Sequence, residues 1–501
     1  MSAWWRDAVV YQVYVRSFAD SDGDGVGDLP GITAKLPYLA ELGVDALWLT
    51  PFYTSPMADH GYDVADQCDV DPRFGTLGDI DELIRVAHGL HLRVIVDLVP
   101  NHTSDEHPWF QQGLRDRYLF REGKDGGPPN DWNSVFGGPA WTQVEDGSWY
   151  LHLFDTKQPD LDWRNPAVHE DWERILRFWL DRGVDGFRID VAHGLYKAPG
   201  FESTSMVHAD EDVLFQAMRM PAAWDQPEVV DVYRRWREIT DSYPGDRVMV
   251  GEVFLSQVAK VKRFVGKDRL HQSFNFPLLT APLDAATWRA LIEESLEAFE
   301  GDGSTPTWVL SNHDVTRHAT RYGGGEEGVA RARAATLTLL GLPGSPYLYE
   351  GEELGLEQDD LPPEARQDPA FLRTNGAVLG RDGCRTPMPW TAGDPGHGFT
   401  TGTPWLPFGE QATTKAVDAD PVTLEFYRRA IGVRRALRDD LPRDVEWIDM
   451  PEGALGYRRG RLTVVLNTGT DPVPLPPGEV LVASRDLDGE LPGGTAAWLH
   501  P

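Results

Sequence analysis

Short apolar segments alternate with segments of helical period along most of this chain, and that alternation leaves few architectures open. Residues 8–18 (AVVYQVYVRSF) read as a buried strand. Residues 31–43 have helical spacing, with Ile32, Leu36, Leu39 and Leu42 on one side. The next strand is 44–52 (VDALWLTPF), the next helix 80–90 and the third strand 93–99 (RVIVDLV). Strands joined by helical crossovers pair in parallel with right-handed connections. The stretch 101–164 breaks the pattern: it is loop-rich, with Gly-Gly-Pro-Pro at 126–129 and Gly-Gly-Pro at 137–139. So long an irregular segment implies a small inserted domain or lid. Alternation resumes with helix 168–182 and strand 186–193 (GFRIDVAH). Further strands are expected at 247–254, 272–279, 305–310 and 347–350, with helices at 285–299 and 329–340.

Eight strand–helix units favour a (β/α)8 TIM barrel over a doubly wound sheet. After a final helix at 424–437, residues 443–499 show short strand-like runs (462–467, 479–483), many Pro and Gly, and no helix pattern. The expected organisation is an α/β barrel from 1–100 and 165–440, an inserted domain at 101–164 after strand three, and a C-terminal antiparallel β domain at 441–501.

The 501 residues carry 47 basic against 79 acidic side chains, a net charge of −32. That balance argues against nucleic acid and anionic membranes as partners and fits a neutral small-molecule substrate. The two cysteines, Cys68 and Cys384, make neither a disulfide framework nor a zinc pattern. The start has no basic n-region or cleavable apolar segment, and no apolar run reaches transmembrane length. A reduced, cytoplasmic protein, monomeric or homodimeric, is expected.

In a barrel, the C-terminal strand ends converge on one face. Strand three runs into Asp97, Asn101 and His102, and strand four carries Arg188 and Asp190. Strand five ends in Gly251-Glu252, and strand seven in Ser311-Asn312-His313-Asp314. Arg188 and Asp190 are two apart, so strand geometry points them to the same side. Alone, such a pair reads as a buried structural ion pair, because a charge inside an apolar strand is costly unless paired. Four polar strand ends meeting on one face change that reading.

Taken together, the four segments resemble the signature regions of the α-amylase family, glycoside hydrolase family 13. Gln158-Pro159-Asp160-Leu161-Asp162 is similar to the family's additional motif in its inserted domain. Tyr11-Gln12-Val13-Tyr14 through Asp28, and Arg385-Thr386-Pro387-Met388-Pro389-Trp390, resemble the α-glucosidase and oligo-1,6-glucosidase branch. The resemblance covers nearly the whole chain and is weakest at 200–246 and beyond about 440.

The resemblance implies Asp190 as nucleophile, Glu252 as general acid and then base, and Asp314 as a third carboxylate gripping sugar hydroxyls. Arg188 would keep Asp190 ionised, and Glu252 would need a raised pKa to hold its proton. Two such carboxyls about 5 Å apart retain configuration through a glycosyl-enzyme. His102 and His313 would donate to hydroxyls, and Tyr62 would stack on the sugar. Asp63 with Arg385 would bind the terminal 4-OH and close the pocket; the alternative for that pair is a surface ion pair. Asp97 would support the barrel end, and Phe154 and Gln158 would line the pocket.

Asp20, Asp22, Asp24 and Asp28 fall at EF-hand positions one, three, five and nine, with the Val26 carbonyl at seven and no Glu at twelve. Relatives in this branch imply one structural Ca2+ or Mg2+ here; the alternative is an acidic turn. No organic cofactor is expected. Val191, directly after the nucleophile, bears on linkage: Val accompanies α-1,6 cleavage in this branch, whereas Ala192-His193 departs from that pattern.

The leading reading is a retaining exo-α-glucosidase acting on short α-glucosides such as maltose, isomaltose or sucrose. A transglucosylase, sucrose isomerase or trehalose synthase would use the same carboxylates. A non-enzymatic, transporter heavy-chain-like protein would have lost them, and here all three are present. Residues 200–246 are expected to border the subsite beyond the cleaved bond.

Overall fold

The computed structural model of the protein describes residues 3–203, 222–299, 301, 303–419 and 421–500. Residues 204–221, within the segment expected to border the second subsite, lie outside the described residues.

Eight parallel strands form the barrel: β1 (Val10–Val13), β2 (Ala46–Leu49), β3 (Arg93–Leu98), β4 (Gly186–Ile189), β5 (Val248–Gly251), β6 (Gln272–Ser273), β7 (Thr307–Val309) and β8 (Ser345–Tyr349). Their order is β6-β5-β4-β3-β2-β1-β8-β7, so each strand pairs with its sequence neighbour and β8 returns to β1. Between β6 and β7 the Thr307 hydroxyl donates to the Ser273 carbonyl at 2.7 Å, and the barrel is nearly closed. Strand β4 fits its place because all four of its residues are buried and Gly186 has no room for a Cβ, which would lie 2.4 Å from the Val248 carbonyl.

The helices start and stop where their caps dictate. Helix α1 (Leu29–Leu42) opens on Asp28, whose carboxylate accepts the Gly31 N–H at 2.6 Å. It closes on Gly43, which adopts a left-handed φ of 92° that costs a glycine little. Its buried face is Leu29, Ile32, Leu36, Leu39 and Leu42. Helix α2 (Leu77–Gly89) begins with a reciprocal capping box between Thr76 and Asp79. Helix α3 (Pro166–Asp181) leads into β4.

Two expected strands are shorter than their apolar runs. The first ends at Val13, and Val15–Phe18 is a short helix. The Tyr14 N–H is taken by Glu350 Oε2 at 2.7 Å and the Val15 N–H by Thr50 Oγ1 at 3.0 Å, so the backbone leaves the ladder while staying buried. Residues 272–279 split into β6 and a helix, Phe276–Thr280, with Asn275 as its cap and Pro277 in its first turn. Burial keeps an apolar pattern whichever way the backbone turns, and periodicity cannot separate the two cases over so few residues.

The segment between β3 and α3 carries a three-stranded antiparallel sheet of Phe120–Arg121, Trp149–Leu151 and Trp141–Gln143. Its small core, including Trp132, Phe136 and Leu153, also takes in Val191 and Trp224 from the barrel side, so the insert packs directly on the turn after β4. The C-terminal residues form a five-stranded antiparallel sheet that includes Leu462–Asn467 and Glu479–Ala483. It docks on the helix Gly325–Leu340: Trp498 Nε1 donates to the Leu337 carbonyl at 2.9 Å and the Tyr457 hydroxyl to the Thr338 carbonyl at 2.6 Å. Among the described residues no helix is long and apolar enough to cross a membrane.

Trp498 is fully buried at that junction. Trp498→Ala is expected to cost about 3–5 kcal/mol and to lower the thermal midpoint in calorimetry; an unchanged midpoint would show that the sheet contributes little to the stability of the barrel.

Candidate active site

The C-terminal strand ends open into a cavity of ≈ 450 Å³ whose lining includes Asp190, Glu252, His102, His313 and Asp314. At its floor lies the Arg188 guanidinium, fully buried at 1% exposure. Its Nη1 is 2.9 Å from Asp97 Oδ1 and 2.8 Å from Asp190 Oδ1, and its Nη2 is 2.8 Å from Glu252 Oε2. The sequence expectation that Arg188 and Asp190 share a side holds, and the cation is divided among three carboxyls. Asp190 and Glu252 are thereby bridged by one guanidinium.

Three carboxyls around one cation cannot all be ionised cheaply. Burial, with the neighbouring Glu252 and Asp97, pushes the Asp190 carboxyl well up, while Arg188 pulls it down. Burial pushes Asp97 up to about 7 against the same Arg188. The cluster therefore retains a proton near neutral pH. Arg188 pulls Asp190 toward the ionised form, as the sequence reading expected, but burial outweighs it.

A second arginine organises the other end. Arg381 uses each nitrogen on a different carboxylate: Nε to Asp368 at 2.6 Å, Nη1 to Asp314 at 3.0 Å and Nη2 to Asp59 at 2.8 Å. Arg385 adds a bond from Nη2 to Asp314 at 2.9 Å and one from Nε to the His313 carbonyl at 2.7 Å. Burial would raise Asp314, but the Arg381 and Arg385 cations outweigh it and hold the carboxyl far below its usual range. Burial pushes Asp59 up to about 6 against Arg381 and Arg385.

Here the structure corrects the sequence reading. Asp63 and Arg385 do not form the expected pair at the cavity end. The Asp63 carboxylate is fully buried and accepts the Ala58 and Asp59 amides at 2.7 and 2.9 Å. The pair facing the cavity is Asp59 with Arg381, each four residues earlier in the same segment. The sequence offered two carboxylates and two arginines; backbone amides claim one carboxylate, which spacing cannot show. Asp368 also went unnoticed, since it lies in a segment without strand or motif pattern.

The ring residues are placed as expected, with different partners. Tyr62 lines the cavity and stacks on His313, ring centroids 5.3 Å apart at 5°, and its hydroxyl donates to Asp97 Oδ2 at 3.1 Å. His313 is neutral because burial pushes its pKa well down. Gln12 Nε2 donates to its Nδ1 at 2.7 Å, which leaves the proton on Nε2, 3.3 Å from Asp314 Oδ2. Burial takes His102 down to about 4, and its ring contacts Phe154 at 5.1 Å. Gln158 Nε2 bridges Asp59 Oδ2 at 3.1 Å and His102 Nε2 at 3.0 Å, so it acts behind the lining.

Away from the cavity, carboxylate oxygens of Asp20, Asp22 and Asp28 lie within 4.8 Å of one another, a donor set that suits a hard divalent cation. Asp24 is not part of that set: its Oδ1 accepts the Val26 N–H at 2.8 Å.

The insert is bolted to the site by Lys197, whose side chain is fully buried. Its Nζ is 2.8 Å from Asp160 Oδ2 and 2.7 Å from Asn101 Oδ1. Lys197→Met leaves the Asp160 charge buried and unpaired, expected to cost about 3–5 kcal/mol in urea unfolding. The double variant with Asp160→Asn is expected to recover part of it; no recovery would mean that the lysine acts by packing alone.

A family model described as the α-amylase catalytic domain matches residues 12–440. A probable α-glucosidase of Rhizobium meliloti (strain 1021) is 40% identical over 488 residues, covering 91% of this chain and 87% of that protein. An oligo-1,6-glucosidase of Parageobacillus thermoglucosidasius is 36% identical over 481 residues, covering 86% and 84%. The crystal structure of the α-glucosyl transfer enzyme XgtA superposes with a TM-score of 0.91 at 39% identity, covering 100% of both chains. An eight-stranded barrel with three carboxylates at its strand ends, matched from end to end by such relatives, places the protein in a known lineage: the chain belongs to the α-amylase family.

Proposed function

We propose that the protein is a retaining, exo-acting α-glucosidase that removes terminal non-reducing glucose from short α-glucosides through a glucosyl-enzyme on Asp190. The observation that carries this reading is the pairing of Asp190 and Glu252 with one guanidinium at the floor of the cavity. Glu252 gives its proton to the glycosidic oxygen as Asp190 attacks the anomeric carbon, and the aglycone leaves as an alcohol. The Glu252 carboxylate then takes a proton from water, whose oxygen displaces Asp190 and restores both groups. Asp314, held ionised, grips ring hydroxyls and favours the distorted, positively charged transition state. Asp59 and Arg381, an ion pair on the cavity lining, bind the terminal hydroxyls of the sugar, and exo action rests on that contact.

A second reading has a specific observation behind it, the end-to-end likeness to a glucosyl transfer enzyme. It differs only in whether water or a sugar hydroxyl meets the glucosyl-enzyme. Asp20, Asp22 and Asp28 would hold one Ca2+ or Mg2+, whose role is to pin the loop after β1. A cytoplasmic setting, as monomer or homodimer, completes the proposal.

Incubation with maltose, isomaltose, sucrose, trehalose and maltotriose is expected to yield glucose, with the α-anomer formed first in NMR. A predominance of larger or isomerised sugars would replace the hydrolase with the transferase. Asp190→Asn is expected to abolish glucose release and the glucosyl mass adduct. Glu252→Gln is expected to lose about 10²–10⁴-fold on maltose and less on an aryl glucoside with a good leaving group.

Asp59→Asn and Asp63→Asn distinguish the two ends of the same segment. Asp59→Asn is expected to lower kcat/KM for maltose by at least about tenfold, the effect of one bond to a charged group. Asp63→Asn is expected to act mainly on the thermal midpoint. The reverse pattern would restore Asp63 as the sugar ligand.

A further inference from the structure

Val191 follows the nucleophile and has a φ of 43°. A β-branched residue avoids that left-handed region, and it persists only where the surroundings over-determine it. Here they do. The Val191 N–H donates to Glu252 Oε2 at 3.0 Å, and the next amide, of Ala192, donates to the Glu252 backbone carbonyl at 2.9 Å. In a strand, successive N–H groups point opposite ways; a left-handed residue turns them to one side. The Gly194 N–H closes the turn on the Val191 carbonyl at 2.8 Å. The packing leaves little slack: a Cβ on Gly194 would lie 2.7 Å from Val191 Cγ1, and one on Gly251 would lie 3.3 Å from Ala192 Cβ.

We propose that the backbone N–H of Val191 is a positioning donor for Glu252, a role separate from that of the valine side chain. It rests on the reading of Glu252 as acid and base given above. The N–H and Arg188 Nη2 converge on Oε2, at 3.0 and 2.8 Å. Oε1 is thereby the oxygen that carries the proton, gives it to the leaving alcohol and takes one back from water. A donor to a carboxylate favours the charged form, which is the form that takes the proton from water in the second step. Nucleophile and acid/base are set by one peptide and cannot drift apart.

The test replaces the amide between Asp190 and Val191 by an ester, through incorporation of the α-hydroxy analogue of valine. This removes the N–H and keeps the side chain. The pH dependence of kcat/KM on maltose is the readout. Loss of the donor raises the pH at which Glu252 loses its proton, so the basic limb is expected to move up by about one pH unit. The control is an ester between Val191 and Ala192, whose N–H meets only the main-chain carbonyl; there the limb stays in place. A limb that does not move in the first ester, or moves equally in both, overturns the proposal. Should the esters not fold, Gly194→Ala, which displaces the turn, is expected to move the limb in the same direction, and an unmoved limb counts against the proposal. Glu252→Gln measured alongside separates the two levels. If it keeps the basic limb, the assignment of Glu252 fails; if it loses the limb while the first ester leaves it unmoved, only the role of Val191 fails.

Discussion

The Arg188 guanidinium is the interaction on which the rest of this site depends. It is buried beneath the cavity, and three carboxyls from three strand ends bond to it: Asp97, Asp190 and Glu252. Without the cation, that concentration of buried acid would repel itself and take up protons. With it, the three acids are held by ion pairs, although burial still pushes Asp190 and Asp97 up. A paired carboxyl mechanism needs one protonated and one ionised member at the same pH, and one cation shared by Asp190 and Glu252 holds the two acids against the same cavity.

Arg381 repeats the device on the opposite wall. Its three nitrogens reach Asp368, Asp314 and Asp59, so three carboxylates are held by geometry as well as charge. The planar fork of an arginine can do this and a lysine cannot. The carboxyls nonetheless differ in outcome. Burial pushes up Asp190 and Asp97 around Arg188 and Asp59 beside Arg381, whereas Asp314, bonded to both Arg381 and Arg385, falls. One cavity thus holds acids in which burial prevails and one in which two cations outweigh it.

Much of the site was legible beforehand, for a physical reason. Asp190, Glu252, Asp314, His102 and His313 each follow an apolar strand, and barrel geometry sends every strand end to the same face. What failed was the choice between near-identical neighbours. Asp59 and Asp63, or Arg381 and Arg385, differ only in which one the backbone consumes, and hydrogen bonds to Ala58 and Asp59 amides are set by a loop conformation without periodicity. The overlong strands at 8–18 and 272–279 failed for a related reason: a buried helical turn and a buried strand are equally apolar.

The sequence by itself determined the eight-fold alternation, the insert after β3, the C-terminal sheet and which carboxylates stand at the strand ends, because each is written in period or in residue type. Only the tertiary structure decided how charge is shared. That Arg188 serves three acids, that Arg381 rather than Arg385 meets Asp59, and that Val191 turns its amide onto Glu252 all depend on approaches of about 3 Å between residues far apart in the chain. Electrostatic energies change steeply over such distances in a low-dielectric interior, and residue order carries no measure of them.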